Sequence, residues 1–282
     1  MEKIIETSFL DRNDIMQTIS ALIAEKLLGS DQLSKIILRF RDLKDNFNAL
    51  TFDECSNPIE QPLWRFSSGI TPYNDYDDTS NIPIPLTHPL FINQDNIVSY
   101  DFPVWFNLLA NQRIMMVTQD PMPRSKEWYK ECRDAICSTT FGLHNASWRN
   151  KGNGGRRMWL LIQRLINSQI GVYLTDCKKL YIQSVEGTHI KETQKQIETY
   201  SQLLRAEVET IQPSLIVSFG NESKKQLCSL LEGANVHILE VPHFSGQAQG
   251  AIRNFFNWQK GASFSVDEQV KCYFELIINS IK

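Results

Sequence analysis

An α/β fold with a parallel central sheet is predicted for this 282-residue chain by three observations. Four short apolar runs, rich in β-branched and aromatic residues and bounded by turn residues, read as buried strands. Helical stretches separate these runs, which implies parallel pairing through right-handed crossovers. Chemistry-bearing segments sit just after three of the runs: Thr118-Gln119-Asp120-Pro121, Thr175-Asp176 and Pro242-His243-Phe244-Ser245. Ligands of open α/β sheets bind at that carboxyl edge. The expected architecture is a three-layer α/β/α domain with a central four-stranded parallel sheet, preceded by an N-terminal helical extension.

The elements follow in order. Ile15, Ile19, Leu22, Ile23 and Leu27 recur at helical spacing, and Gly29-Ser30-Asp31 breaks the pattern before a second helix. Residues 46–100 are rich in Asn, Asp, Pro and Ser and read as long irregular structure. The chain therefore divides into residues 1–100, helices and an acidic irregular loop packed on the main domain, and an α/β domain at 101–282. The strands are Ile114–Val117, Ile170–Leu174, Leu215–Phe219 and Val236–Val241. Ile197, Tyr200, Leu204, Val208 and Ile211 form the apolar stripe of a helix that Pro213 stops. Gly220 closes the third strand before a helix carrying Leu227, Leu230 and Leu231, and a final helix carries Val266, Val270, Phe274, Ile277 and Ile281.

Bulk properties narrow the classes. Hydrophobic residues make up 42% and charged residues 22%, as in ordinary globular proteins. No run approaches the length of a membrane span, and the N-terminus lacks a secretory layout, so a cytoplasmic protein is expected. Six scattered cysteines, without a C-x-x-C pair, read as reduced and mostly core, with no metal site. No G-x-G-x-x-G, P-loop or G-x-S-x-G motif follows a strand.

Net charge is −3, but it is unevenly spread. Residues 45–101 hold nine acidic side chains and one basic, whereas residues 111–181 hold twelve basic and five acidic. Such asymmetry suits an anionic partner, or two solvated faces. The segment from Trp148 to Arg157 is the backbone-binding candidate, with Arg149, Lys151, Arg156 and Arg157 among three glycines. Its alternative is a solvated loop paired with the acidic region. Lys178, Lys179, Lys224, Lys225 and Arg253 extend a possible basic rim.

These motifs resemble the uracil-DNA glycosylase superfamily. Met116-Val117-Thr118-Gln119-Asp120-Pro121 is similar to its strand-end Gly-Gln-Asp-Pro, and Phe141-Gly142 to the segment bearing a base-stacking aromatic. Val172–Lys179 resembles the strand that ends in a base-reading Asn, and Pro242-His243-Phe244-Ser245 resembles His-Pro-Ser. The match covers roughly residues 103–260 in the family's order.

The resemblance implies a DNA glycosylase of base excision repair, acting without a cofactor on single- or double-stranded DNA with a damaged base; a monomer is expected. Asp120 would stabilise the sugar cation and orient a water, and His243 would donate to the departing base. Gln119, Phe141 and Asp176 would contact the flipped base, and Ser245 the DNA backbone. The bland alternatives are helix capping or a tight turn for Asp120, core packing for Phe141 and His243, and pairing with Lys178, Lys179 or a helix N-terminus for Asp176.

Departures from the pattern carry information. Asp176 replaces the Asn and, when ionised, only accepts hydrogen bonds. Either the base differs from uracil, or the carboxyl is protonated, or no base is read. Thr118 stands for Gly and Met122 for the bulky Tyr. The loop after His243 lacks an obvious apolar wedge, leaving Gln247 or Phe244. A non-catalytic binding module on the same fold, and a hydrolase of free nucleosides, are the rival functions. The enzyme reading expects Asp120 and His243 on opposite sides of one cleft wide enough for a base, with Phe141 between them, whereas an acidic loop filling that cleft favours the binding module.

Overall fold

The computed structural model describes residues 10–48, 81–82, 97–121, 135–143, 149, 153–184, 188–233, 236–259 and 264–281. Helix α1 (Asn13–Ile23) buries Ile15, Met16, Ile19 and Ile23, the expected stripe, and a π-helical turn at Ala24–Leu28 continues it. Gly29 then adopts φ 110°, a conformation open to glycine, and α2 (Leu33–Asn48) begins after a short 3-10 turn. These helices are tied to the body. The Asp11 carboxylate accepts from the backbone N–H groups of Leu108 and Leu109, and Phe40 stacks on Phe102 with centroids 4.0 Å apart.

The remaining elements are β1 (Asn81–Ile82), β2 (Ile97–Asp101), β3 (Val104–Phe106), β4 (Gln112–Thr118), β5 (Ala135–Ser138), α3 (Asn153–Asn167), β6 (Ile170–Asp176) and β7 (Leu180–Gln183). Then come α4 (Gln194–Ile211), β8 (Leu215–Phe219), α5 (Asn221–Leu230), β9 (Ile238–Val241), α6 (Gln249–Phe255) and α7 (Val266–Ser280). The main sheet has order β3-β6-β4-β8-β9. The four strands expected from the apolar runs pair parallel, β6 with β4, β4 with β8 and β8 with β9.

Two expectations need correcting. The sheet has five strands, not four, because β3 pairs antiparallel with β6. Val104-Trp105-Phe106 follows Pro103 and is too short to show a period of two. A second sheet, of order β1-β5-β2-β7, was not expected. Its β2 straddles the expected boundary at residue 100, and β7 begins four residues after Asp176, beyond the expected strand Ile170–Leu174.

The core follows from the strands. β6 and β8 are buried at every position, so both faces at the centre of the sheet are covered. α3 packs on β6 and on α7, whereas α5 packs on β8 and β9, and α4 touches β4, α5 and α1. Capping boxes start α4 (Thr193 with Gln196) and α7 (Ser265 with Glu268). α4 buries Tyr200, Leu204 and Ile211 but leaves Ile197 exposed. Gln212, left-handed at φ 50°, ends it before Pro213. Of the free cysteines among the described residues, Cys177 is buried, Cys272 half-buried and Cys228 exposed, so the core assignment holds for Cys177 alone. No helix among the described residues is long and apolar enough to cross a membrane.

Candidate active site

The strand order places β4 between two later strands, β6 and β8, so successive crossovers leave it in opposite directions. Ligand sites of α/β sheets form at such a switch point, beyond the strand ends. Registers Thr118↔Asp176, Val117↔Ser218 and Phe219↔Val241 bring those ends level. There a cleft of about 1100 Å³ opens, lined among the described residues by Gln119, Asp120, Gly220, Glu240, His243 and Ser245, with others. Asp120 and His243 thus border one cavity, although 122 residues separate them in sequence. The Gln119 amide donates to the Asp120 carboxylate at 3.0 Å.

Three contacts hold the His243 segment. The Tyr273 hydroxyl donates to the Pro242 carbonyl at 2.9 Å, Arg157 donates to the Phe244 carbonyl at 3.3 Å, and the Ser245 N–H donates to His243 Nδ1 at 3.0 Å. That last bond requires a lone pair on Nδ1, so the neutral ring carries its proton on Nε2. Burial lowers the His243 pKa and favours this neutral form. Gly220, at φ 94°, begins α5 beside it. A Cβ at Gly220 would stand 3.5 Å from that of His243.

Phe141 stacks on the imidazole, centroids 4.9 Å apart and planes 18° from parallel. Its own backbone is left-handed, φ 58°, which is costly for a side chain of this size. Gly154 makes room for the ring, since a Cβ there would lie 3.1 Å from it. Phe141 packs behind His243 and is not among the cleft-lining residues.

Asp176 is fully buried and also lies off the lining. Thr118, which lines the cleft, donates its hydroxyl to Asp176 Oδ1, while Oδ2 finds no hydrogen-bond partner among the described residues. Burial first, then the neighbouring Asp101 carboxylate, push the Asp176 pKa well above the ordinary range, with Asp120 adding to the rise. The pairing of Asp176 with Lys178 or Lys179 does not form. Lys178 pairs with Glu192 at 2.8 Å. Lys179 is buried between Asp101 (2.9 Å) and Glu207 (2.8 Å). Burial alone would lower its pKa, but the two carboxylates together raise it. The Asp101 carboxylate also accepts from the Asp176 backbone N–H at 3.1 Å, so this buried charge cluster fixes the end of β6.

The basic segment departs most from expectation. Arg149 is buried, donates to the Leu143 carbonyl and lies over the Trp159 ring. Arg157 is buried as well. Both serve irregular backbone whose carbonyls lack ladder partners, and so they face inward rather than toward a phosphate. Arg156 is half-buried, and Lys151 lies outside the described residues. Among the rim lysines, Lys224 pairs with Glu240 at 2.6 Å and Lys225 with Glu222 at 3.0 Å. Phe244 is fully buried, which removes it as a wedge, whereas Gln247 is exposed on the lining.

The structure therefore brings Gln119, Asp120, His243 and Ser245 to one cleft. Sequence reasoning missed Asn221, Glu222 and Ser223 on its wall. Their place just after Gly220, at a strand end, was the available signal.

The chain matches the Uracil DNA glycosylase superfamily over residues 106–262, more than half its length. It belongs to that superfamily. The matched span runs from the end of β3 past α6 and contains every described residue of the cleft. A comparison with curated proteins found no match.

Proposed function

We propose that this member of the uracil-DNA glycosylase superfamily is an N-glycosyl hydrolase that releases a damaged or deaminated base from DNA. The observation that carries the reading is Asp120 and His243 on the wall of one cleft at the switch point of the sheet. Glycosidic cleavage develops positive charge on the sugar and negative charge on the leaving base. Asp120, as a carboxylate, stabilises the first and orients the attacking water. His243, neutral with hydrogen on Nε2, donates to the second without leaving a cation in the resting site. Phe141 keeps the imidazole plane fixed, and Asp176 acts on the site through Thr118. Ser245 and Arg156 remain the proposed backbone contacts. The α3–α7 and α4–α5 groups form the outer layers of an α/β/α core in this reading.

A pool of oligonucleotides carrying uracil, hypoxanthine, xanthine and mismatches, followed by analysis of released bases, tests the proposal. Release of one base by the wild-type protein, lost in Asp120→Ala and His243→Ala, supports it. Binding of such oligonucleotides without release of any base would favour the non-catalytic module.

A further inference from the structure

The described residues include four large apolar side chains that are strongly exposed: Leu38, Leu109, Ile197 and Phe255. Only Phe255, 43% exposed, lines the cleft. It stands at the end of α6 and is backed by a packed aromatic column. Phe255 meets Phe256 edge-on at 5.0 Å, Phe256 stacks on Trp258 at 5.5 Å, and Trp258 stacks on Phe264 at 3.9 Å. Phe256 in turn rests on buried Tyr273, whose hydroxyl holds Pro242 beside His243. The exposed ring is thus linked through Phe256 to the residue that holds Pro242. Its surroundings are polar. Arg253, Asn254 and Asn257 are exposed on the same turn, and of the five rim cations singled out in the sequence Arg253 alone makes no ion pair among the described residues.

We infer that Phe255 is a stacking platform for an unpaired base next to the one held in the cleft, so that the preferred ligand is single-stranded DNA. This rests on the cleft taking a base. Exposure alone needs no partner, but of the four exposed side chains only Phe255 is continuous with the cleft, which makes the neighbouring nucleotide the group that would cover it. Base–aromatic stacking is sequence-tolerant and demands an unpaired base, since the faces of paired bases are already covered in a duplex. The cleft wall carries Asp120, Glu222 and Glu240 and no lysine or arginine among the described residues, so a strand lying there is held through the faces of its bases rather than through its phosphates.

Fluorescence anisotropy with a labelled 15-mer lacking any modified base, single-stranded and as a duplex, tests the inference on the full chain. The wild-type protein binds the single strand more tightly than the duplex. Phe255→Ala weakens single-strand binding by about 5- to 100-fold, Phe255→Tyr restores it, and duplex binding moves little in either variant. Failure of the wild type to bind the single strand, an unchanged affinity in Phe255→Ala, or an equal loss on the duplex overturns the inference. Base release lost in Asp120→Ala while Phe255 proves silent would leave the catalytic reading standing and remove only this one.

Discussion

The Phe141 ring lies against the His243 imidazole, 4.9 Å between centroids and 18° between planes. No third ring fits between them at that spacing, so the face of Phe141 turned to His243 is closed to a base. The pair explains why a strained φ of 58° is kept at Phe141: the left-handed turn puts the ring where it can brace the imidazole. Phe141→Leu should slow base release by roughly 10- to 100-fold, as expected when a catalytic group is misplaced by an ångström or less. Gly154→Ala should act in the same direction, because its methyl presses on the Phe141 ring. Single-turnover rates at saturating protein check both.

The bond from the Ser245 N–H to His243 Nδ1 makes the segment sensitive to acid. Burial lowers the folded pKa of His243, so the unfolded chain takes up this proton first as pH falls. The stability from the neutral ring is fully present above about pH 6.5. It declines as pH falls toward the lowered folded value. His243→Asn, which keeps an acceptor near the Nδ1 position and cannot titrate, should lose less thermal stability than the wild type between pH 7 and pH 5. Melting curves across that range provide the check.

Asp176 works with the opposite sign. Its folded pKa is raised, by burial and then by Asp101, so the native state holds a proton that the unfolded chain has released. Stability from this group is greatest below the unfolded value of about 4 and falls as pH rises through the range up to the folded pKa. Asp176→Asn copies the protonated shape and needs no proton. It should be at least as stable as the wild type at pH 8, and the gain should shrink toward pH 4.

Lys179→Met leaves Asp101 and Glu207 buried without their cation. A loss of about 3–5 kcal/mol in urea unfolding is expected. Lys225→Met, which removes an exposed pair with Glu222, should change stability by less than about 1 kcal/mol.

What could be read from the sequence depended on the scale of the signal. The four parallel strands were visible because each is a compact apolar run with turn residues at its ends, and that placed Asp120, Asp176 and His243 on one sheet edge. β3 and β1 were too short to show a period. Inward or outward orientation was hidden for the basic segment. Arg149 and Arg157 look like a phosphate-binding cluster in the sequence, yet their guanidiniums satisfy the Leu143 and Phe244 carbonyls. Phe141 was found by its Phe-Gly motif, but its partner was not, since stacking on His243 joins segments about 100 residues apart. Phe255 carried no signal, because an aromatic near a helix end ordinarily reads as core.

The central claim is that Asp120 and His243 act on one glycosidic bond. Single-turnover release of the base identified in the pool, compared for wild type, Asp120→Asn and His243→Gln at matched DNA occupancy, tests it most directly. The account predicts a fall of about 100-fold or more in each variant, with DNA affinity nearly unchanged. A variant at either position that releases the base at the wild-type rate would contradict it.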